Sequence, residues 1–185
     1  NAIVDTTTTN ESFKRYSYYL KAKGISNHLF PLALHNPELQ GIDPFDPNLT
    51  LEQMAAIAIE AHENFWYVIR EIARAPAMGG AKARRFQANR GNMTLYWSFF
   101  NHIFVVLQLI RQSGKSFSSD WLDVWLLCIK MFDTDIHLLT KDSALRTKNI
   151  ERIKDIAETL PFYLNPRVAT DIANTEEFTV KARNN

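Results

Sequence analysis

The chain has 185 residues, 46% hydrophobic and 12% aromatic, with Lys+Arg 21 against Asp+Glu 20 and a formal net charge of +1. That is enough apolar sequence for one packed domain. The near-neutral balance removes bulk charge as a reason to expect nucleic acid and leaves room only for local basic patches. A single cysteine, Cys128 in WLDVWLLCIKMF, excludes a disulfide framework and a cysteine metal site, and reads as a small buried hydrophobe of a reduced, cytosolic protein.

The opening NAIVDTTTTNESF is polar, carries no secretory signal and lacks an initiator methionine, the pattern of a trimmed chain or fragment. Residues 1–10 read as disordered. ESFKRYSYYLKAKG predicts a short amphipathic helix ending at Gly24. ISNHLFPLALHNPELQGIDPFDPNL, dense in Pro, Asn and Asp, predicts a long surface connection. Residues 1–48 thus form a flexible and helical lead-in, and 49–185 the main unit. Thr50 to Gln53 fits a capping box for a helix burying Met54, Ile57, Ala58 and Ala61. Asn64 caps the next helix, which stops near Pro76 and carries Trp66 and Tyr67 as core aromatics. AMGGAKARR predicts a basic loop, and GNMTLYWSFFN a helix anchored by Leu95, Trp97 and Phe99.

Beyond it the periodicity changes. IFVVLQLI, 103–110, is β-branched and almost wholly apolar, as a strand buried on both faces of a parallel sheet would be. Residues 116–131 predict a helix apolar nearly all round, hence buried. The longest apolar run, near 121–132, is broken by Asp123 and Lys130 and is too short to span a bilayer. DIHLL, 135–139, predicts a second buried strand. Asp142 or Ser143 caps a helix carrying Leu145, Ile150, Ile153, Ile156, Ala157 and Leu160, and Pro161 ends it. EEFTVKAR alternates as a third strand does. The order strand, helix, strand, helix, strand predicts an α/β fold with a parallel sheet.

The chemistry concentrates at IRQSGKS. A bare G-K-[ST] arises by chance in about one chain in ten of this size, so its context matters more than the triplet. A phosphate loop needs a strand before it and a helix after it, whose unpaired N–H groups and dipole face the anion. Both are predicted here. Gly114 lets the backbone approach phosphate, Lys115 reaches the β and γ phosphates, and the Ser116 hydroxyl sits on Mg²⁺. The first glycine of G-x-x-x-x-G-K-[ST] is replaced by Leu109, and the loop begins with Arg111 and Gln112. The five histidines, His28, His35, His62, His102 and His137, show no ligand spacing.

IRQSGKS resembles the deviant Walker A motif of phage large terminases, the ATPases that pump DNA into capsids. DPFDPNLTLEQMAAIAIEAHENFWYVIRE resembles the helical lead-in of one tailed-phage branch of that family. FQANRGN resembles its glutamine-bearing adenine motif, and HLLTKDSALRTKNIERIKDIAETLPFYL the strand, turn and helix that follow. The resemblance covers roughly residues 40–185. It implies the N-terminal part of an ASCE-type P-loop ATPase whose parallel sheet is incomplete in this chain, with ATP and Mg²⁺ as cofactors. By resemblance, the ATP site is Gln87, Arg111, Gln112, Ser113, Gly114, Lys115 and Ser116. Gln87 would read the adenine edge, Arg111 would act as a finger supplied in cis, and Ser116 would hold magnesium through the nucleotide. Arg90 and Lys141 lie in flanking motifs and read as structural.

The family's downstream Asp-Glu strand (Walker B) and its metal-dependent nuclease domain have no counterpart. Glu176 and Glu177 precede a strand and do not match the acidic pair, so binding is expected and turnover is in doubt. The implied partners are double-stranded DNA held through its phosphates, the portal protein and the small terminase subunit, with a homo-oligomeric ring as an option and no membrane. The implied location is the host cytoplasm. Two alternatives remain: a helicase-like P-loop ATPase, and a non-hydrolysing module that docks on a portal or other partner with a vestigial loop.

Overall fold

The computed structural model describes residues 2–76, 83–106, 108 and 114–185. Helices dominate, accompanied by two small antiparallel two-stranded sheets. β1 (Ile3–Val4) opens the chain and α1 (Glu11–Ala22) follows, closed at Gly24 in the left-handed conformation, φ 75°. A 3₁₀ turn (Phe30–Leu32) leads into β2 (Ala33–Leu34), which pairs with β1. A second 3₁₀ turn spans Pro37–Leu39. The segment predicted as a bare connection therefore contributes structure.

The first ten residues depart from the sequence expectation. Asp5, Thr8 and Asn10 are buried, and the Asn10 amide donates to Arg70 O at 2.9 Å and Phe86 O at 3.0 Å. The tract reads as disordered because it is polar. Asp5 and Asn10 instead find backbone and side-chain partners 60 to 76 positions away, which satisfies them on burial.

α2 (Leu51–Glu63) starts as predicted. Gln53 N–H donates to Thr50 Oγ1 at 3.2 Å and Thr50 N–H to Gln53 Oε1 at 2.9 Å, closing the capping box. Its buried face is Ile57, Glu60 and Ala61, while Met54 and Ala58 are half-buried. Asn64 accepts from Tyr67 N–H and caps α3 (Phe65–Tyr67), which continues as a π turn through Val68–Ile72. The chain leaves the helix at Ala73 to form β3 (Arg74–Ala75), paired with β4 (Arg84–Arg85).

In α4 (Arg90–Phe100) the predicted face is rotated. Met93 and Tyr96 are buried, Leu95 is half-buried, and Trp97 and Phe99 are exposed. The capping box of Asn89 and Asn92 fixes the start of this helix. Met93, Tyr96 and the half-buried Phe100, at spacings of three and four, then face the core.

α5 (Lys115–Trp125) runs on as a π turn, Leu126–Lys130, and buries Ser118 and Asp120 through Trp125. α6 (Ser143–Glu158) is capped by Asp142, which accepts from Leu145 N–H at 2.8 Å, and buries Ile150, Ile153, Ile156 and Ala157. α5 and α6 pack together, and the buried Asp120 carboxylate accepts from the Arg152 guanidinium. Trp121 and Trp125 centre the core. Their indoles donate to Arg74 O (3.0 Å) and Ala61 O (2.8 Å), so α5 is tied both to the β3–β4 hairpin and to α2. Cys128 is buried, which pushes its thiol up to about 12.

The predicted parallel sheet does not form among the described residues. Of 103–110, residues 103–106 and 108 carry no strand, and Phe104 and Val106 are 93% and 84% exposed. Residues 135–139 carry no strand either, although Ile136 and Leu138 rest on the core while Leu139 is 98% exposed. EEFTVKAR gives an isolated bridge, Ala173 to Phe178, and a 3₁₀ turn, Lys181–Arg183. Alternation specifies a pleat, but a strand also needs a neighbour for its backbone, and residues 103–106, 108 and 135–139 have none within the described chain.

One buried ion cluster locks the N-terminal half. The Arg70 guanidinium is fully buried. It donates to Glu71 Oε1 (2.9 Å), Asp5 Oδ2 (3.2 Å) and the carbonyls of Pro31 (2.8 Å) and Ala33 (3.3 Å), linking β1, the first 3₁₀ turn and β2 to the π turn after α3. Glu60, also buried, accepts from the backbone N–H groups of His35 and Asn36 and from the Asn64 amide.

Candidate nucleotide site

Gly114 is the N-cap of α5, with φ 78° and open space where a side chain would sit. That left-handed conformation favours glycine and brings the chain into a helix whose first N–H groups have no partner inside the helix. Lys115 and Ser116 occupy the first two helical positions and are exposed. The Ser118 hydroxyl turns back to donate to Gly114 O at 2.9 Å, alongside its own N–H, and so fixes the turn. Arg111, Gln112 and Ser113, the rest of the predicted loop, lie outside the described residues.

Gln87 is exposed just after β4, its amide 3.3 Å from Arg85 O. Two contacts bring its segment to the start of α5. The Phe86 ring stacks on Phe117 at 6.0 Å between centroids with 22° between planes, and the Tyr96 hydroxyl donates to Ser118 O at 2.9 Å. Phe86 precedes Gln87 and Phe117 follows Ser116. The two sequence-predicted pieces, 28 positions apart by their numbers for Gln87 and Lys115, thus belong to one packed corner. Neither Phe86 nor Phe117 stands out in the sequence. Both look like ordinary core aromatics, and only their pairing across elements marks them.

The surroundings are basic. Arg84 and Arg85 form β4, and Arg85 donates to the Thr9 hydroxyl. Arg74 is nine-tenths buried, with its guanidinium on the carbonyls of Glu71 and Ala73 and over the Phe45 ring at 4.3 Å. Burial first, and Arg85 second, pull its pKa down to about 10. Arg90 opens α4 and is exposed, and Lys141 is exposed before α6.

Among the described residues no cluster of three His, Cys, Asp or Glu is placed to hold a metal ion, and no helix is long and apolar enough to cross a membrane. Ser116 offers one hydroxyl oxygen, a donor type that suits Mg²⁺ in company with phosphate oxygens. Glu176 and Glu177 are exposed on the 172–179 hairpin. Glu176 pairs with Arg146 at 2.7 Å. Scans against family models, curated proteins and solved structures find no match to this chain.

Proposed function

We propose that the Gly114–Ser116 turn and Gln87 bind the two ends of ATP, and that the chain is the ATP-binding front of a viral DNA-packaging motor of the terminase large-subunit type. What supports this is the stack of Phe86 on Phe117, which sets the adenine-motif segment against the first turn of α5. The N-terminal N–H groups and dipole of that helix favour the phosphate tail. Lys115 would neutralise the β and γ oxygens and Ser116 would hold nucleotide-bound Mg²⁺. Gln87 would donate and accept along the adenine edge, and Arg111 would stabilise charge on the γ phosphate, with Gln112 and Ser113 completing the cradle. Bound magnesium supplies charge neutralisation between the phosphates.

In this proposal residues 103–110 and 135–139 are strands of an incomplete parallel P-loop sheet. ATP binding in this reading does not require turnover. Double-stranded DNA, a portal, a small subunit and a ring of copies are the partners that follow from the motor reading, in a host cytoplasm. The alternatives, a helicase-like ATPase and a partner-docking module with a vestigial loop, are separated from it by titration. Wild type and Lys115→Ala are titrated with Mg·ATP by calorimetry. A loss of about tenfold or more in the variant, roughly 1.4 kcal/mol, supports the site, and equal affinities favour the docking module.

A further inference from the structure

Residues 134–139, which carry no helix or strand, line a cavity of about 380 Å³ together with Glu176, Glu177, Phe178 and Thr179 and with side chains of α5, its π turn and α6. No backbone N–H or C=O of residues 135–139 makes a hydrogen bond among the described residues. Two polar atoms of the lining residues are orphaned as well: Asp123 Oδ2 and Arg146 Nε are both buried without a hydrogen-bond partner among the described residues. Asp123 is 9% exposed. Ile150, Ile153 and Leu127 supply an apolar lining between them.

The slot thus offers a row of unpaired peptide groups, an acceptor, a donor and an apolar bed. An extended backbone carries donors and acceptors in alternation and side chains at period two, and it meets all four demands. The charges at the slot are Asp135, Glu176 and Glu177 against Arg146, with His137 and the buried Asp123 carboxyl beside them. That balance favours a strand bearing a basic side chain. The chain's own exposed apolar stretch, Ile103 to Val106, bears none.

We propose that this slot takes an extended strand from a partner polypeptide, apolar at alternate positions and basic at one, which pairs with residues 135–139. The proposal rests on the incomplete-sheet part of the reading above and not on ATP binding.

The test is amide hydrogen exchange on the full chain at low micromolar concentration, with and without a synthetic peptide acetyl-Thr-Val-Thr-Val-Lys-Val-amide. Without peptide, Asp135 to Leu139 should exchange near the rate of an unstructured chain. With it, they should slow by about tenfold or more. Asp123→Ala should weaken the protection by about tenfold, while Lys115→Ala, which reports on the nucleotide site, should leave it unchanged. Protection already present without peptide would overturn the proposal. So would protection that grows with protein concentration alone, which would make the occupant a second copy, or an absence of protection at millimolar peptide.

Discussion

Phe117 lies flat against Phe86, ring centroids 6.0 Å apart, and this contact joins the first turn of α5 to the segment carrying Gln87. Removing it should loosen both. Phe117 is half-buried, so Phe117→Ala should cost about 1–3 kcal/mol, below the roughly 3–5 kcal/mol of a fully buried phenylalanine, read as a shift in urea midpoint. Mg·ATP affinity should fall with it, although neither ring is assigned to touch nucleotide.

Gln87→Ala tests base recognition separately from phosphate binding. An amide facing adenine N6 and N7 discriminates against guanine, which presents an acceptor where adenine presents a donor. The variant should bind ATP and GTP with similar affinity, where the wild type prefers ATP by about tenfold or more. Competition with unlabelled nucleotides measures the ratio.

Arg70→Ala should be among the most destabilising substitutions in the chain. It would leave Asp5 and Glu71 buried without their cation and the carbonyls of Pro31 and Ala33 without a donor. Breaking such a cluster costs about 3–5 kcal/mol. Arg70→Lys should recover little of it, because one ammonium cannot reach partners spread around a planar fork. Equilibrium unfolding of the three proteins decides the order.

Asp123 gives the fold a pH dependence. Burial first, and the neighbouring Asp120 second, push its carboxyl up to about 7. In the unfolded chain it titrates near 4. Between those values the folded chain binds a proton that the unfolded chain releases, so stability falls as pH rises from about 4 to about 7 and the loss is complete above. Asp123→Asn should remove this contribution, narrowing the gap in unfolding free energy between pH 5 and pH 8 by roughly 2–3 kcal/mol relative to wild type. An unchanged gap would mean that the carboxyl is solvated in solution.

Much of the helical framework was legible because its signals are local. Thr50 with Gln53, Asn64 and Asp142 each cap a helix through a partner three residues away, and a spacing rule detects that. The rotated face of α4 was harder, since Trp97 and Phe99 are as apolar as Met93 and Tyr96, and packing alone selects between them. The expected strands are a different case. Residues 103–106 and 135–139 have strand composition, but pairing is a property of two segments and neither finds its partner in the described chain. The burial of Asp5 and Asn10 was invisible from sequence because their partners, Arg70 and Phe86, lie 65 and 76 positions on. At the candidate site, glycine, lysine and serine carried a recognisable pattern, while the aromatic pair that positions them carried none.

The most direct test of the central claim is a crystal of the full chain grown with a non-hydrolysable ATP analogue and magnesium. The account predicts phosphate density against the backbone N–H groups from Gly114 to Ser116 with the Lys115 ammonium on it, and adenine beside Gln87. An ordered first turn of α5 with solvent in front of it, and the analogue bound elsewhere or absent, would contradict it.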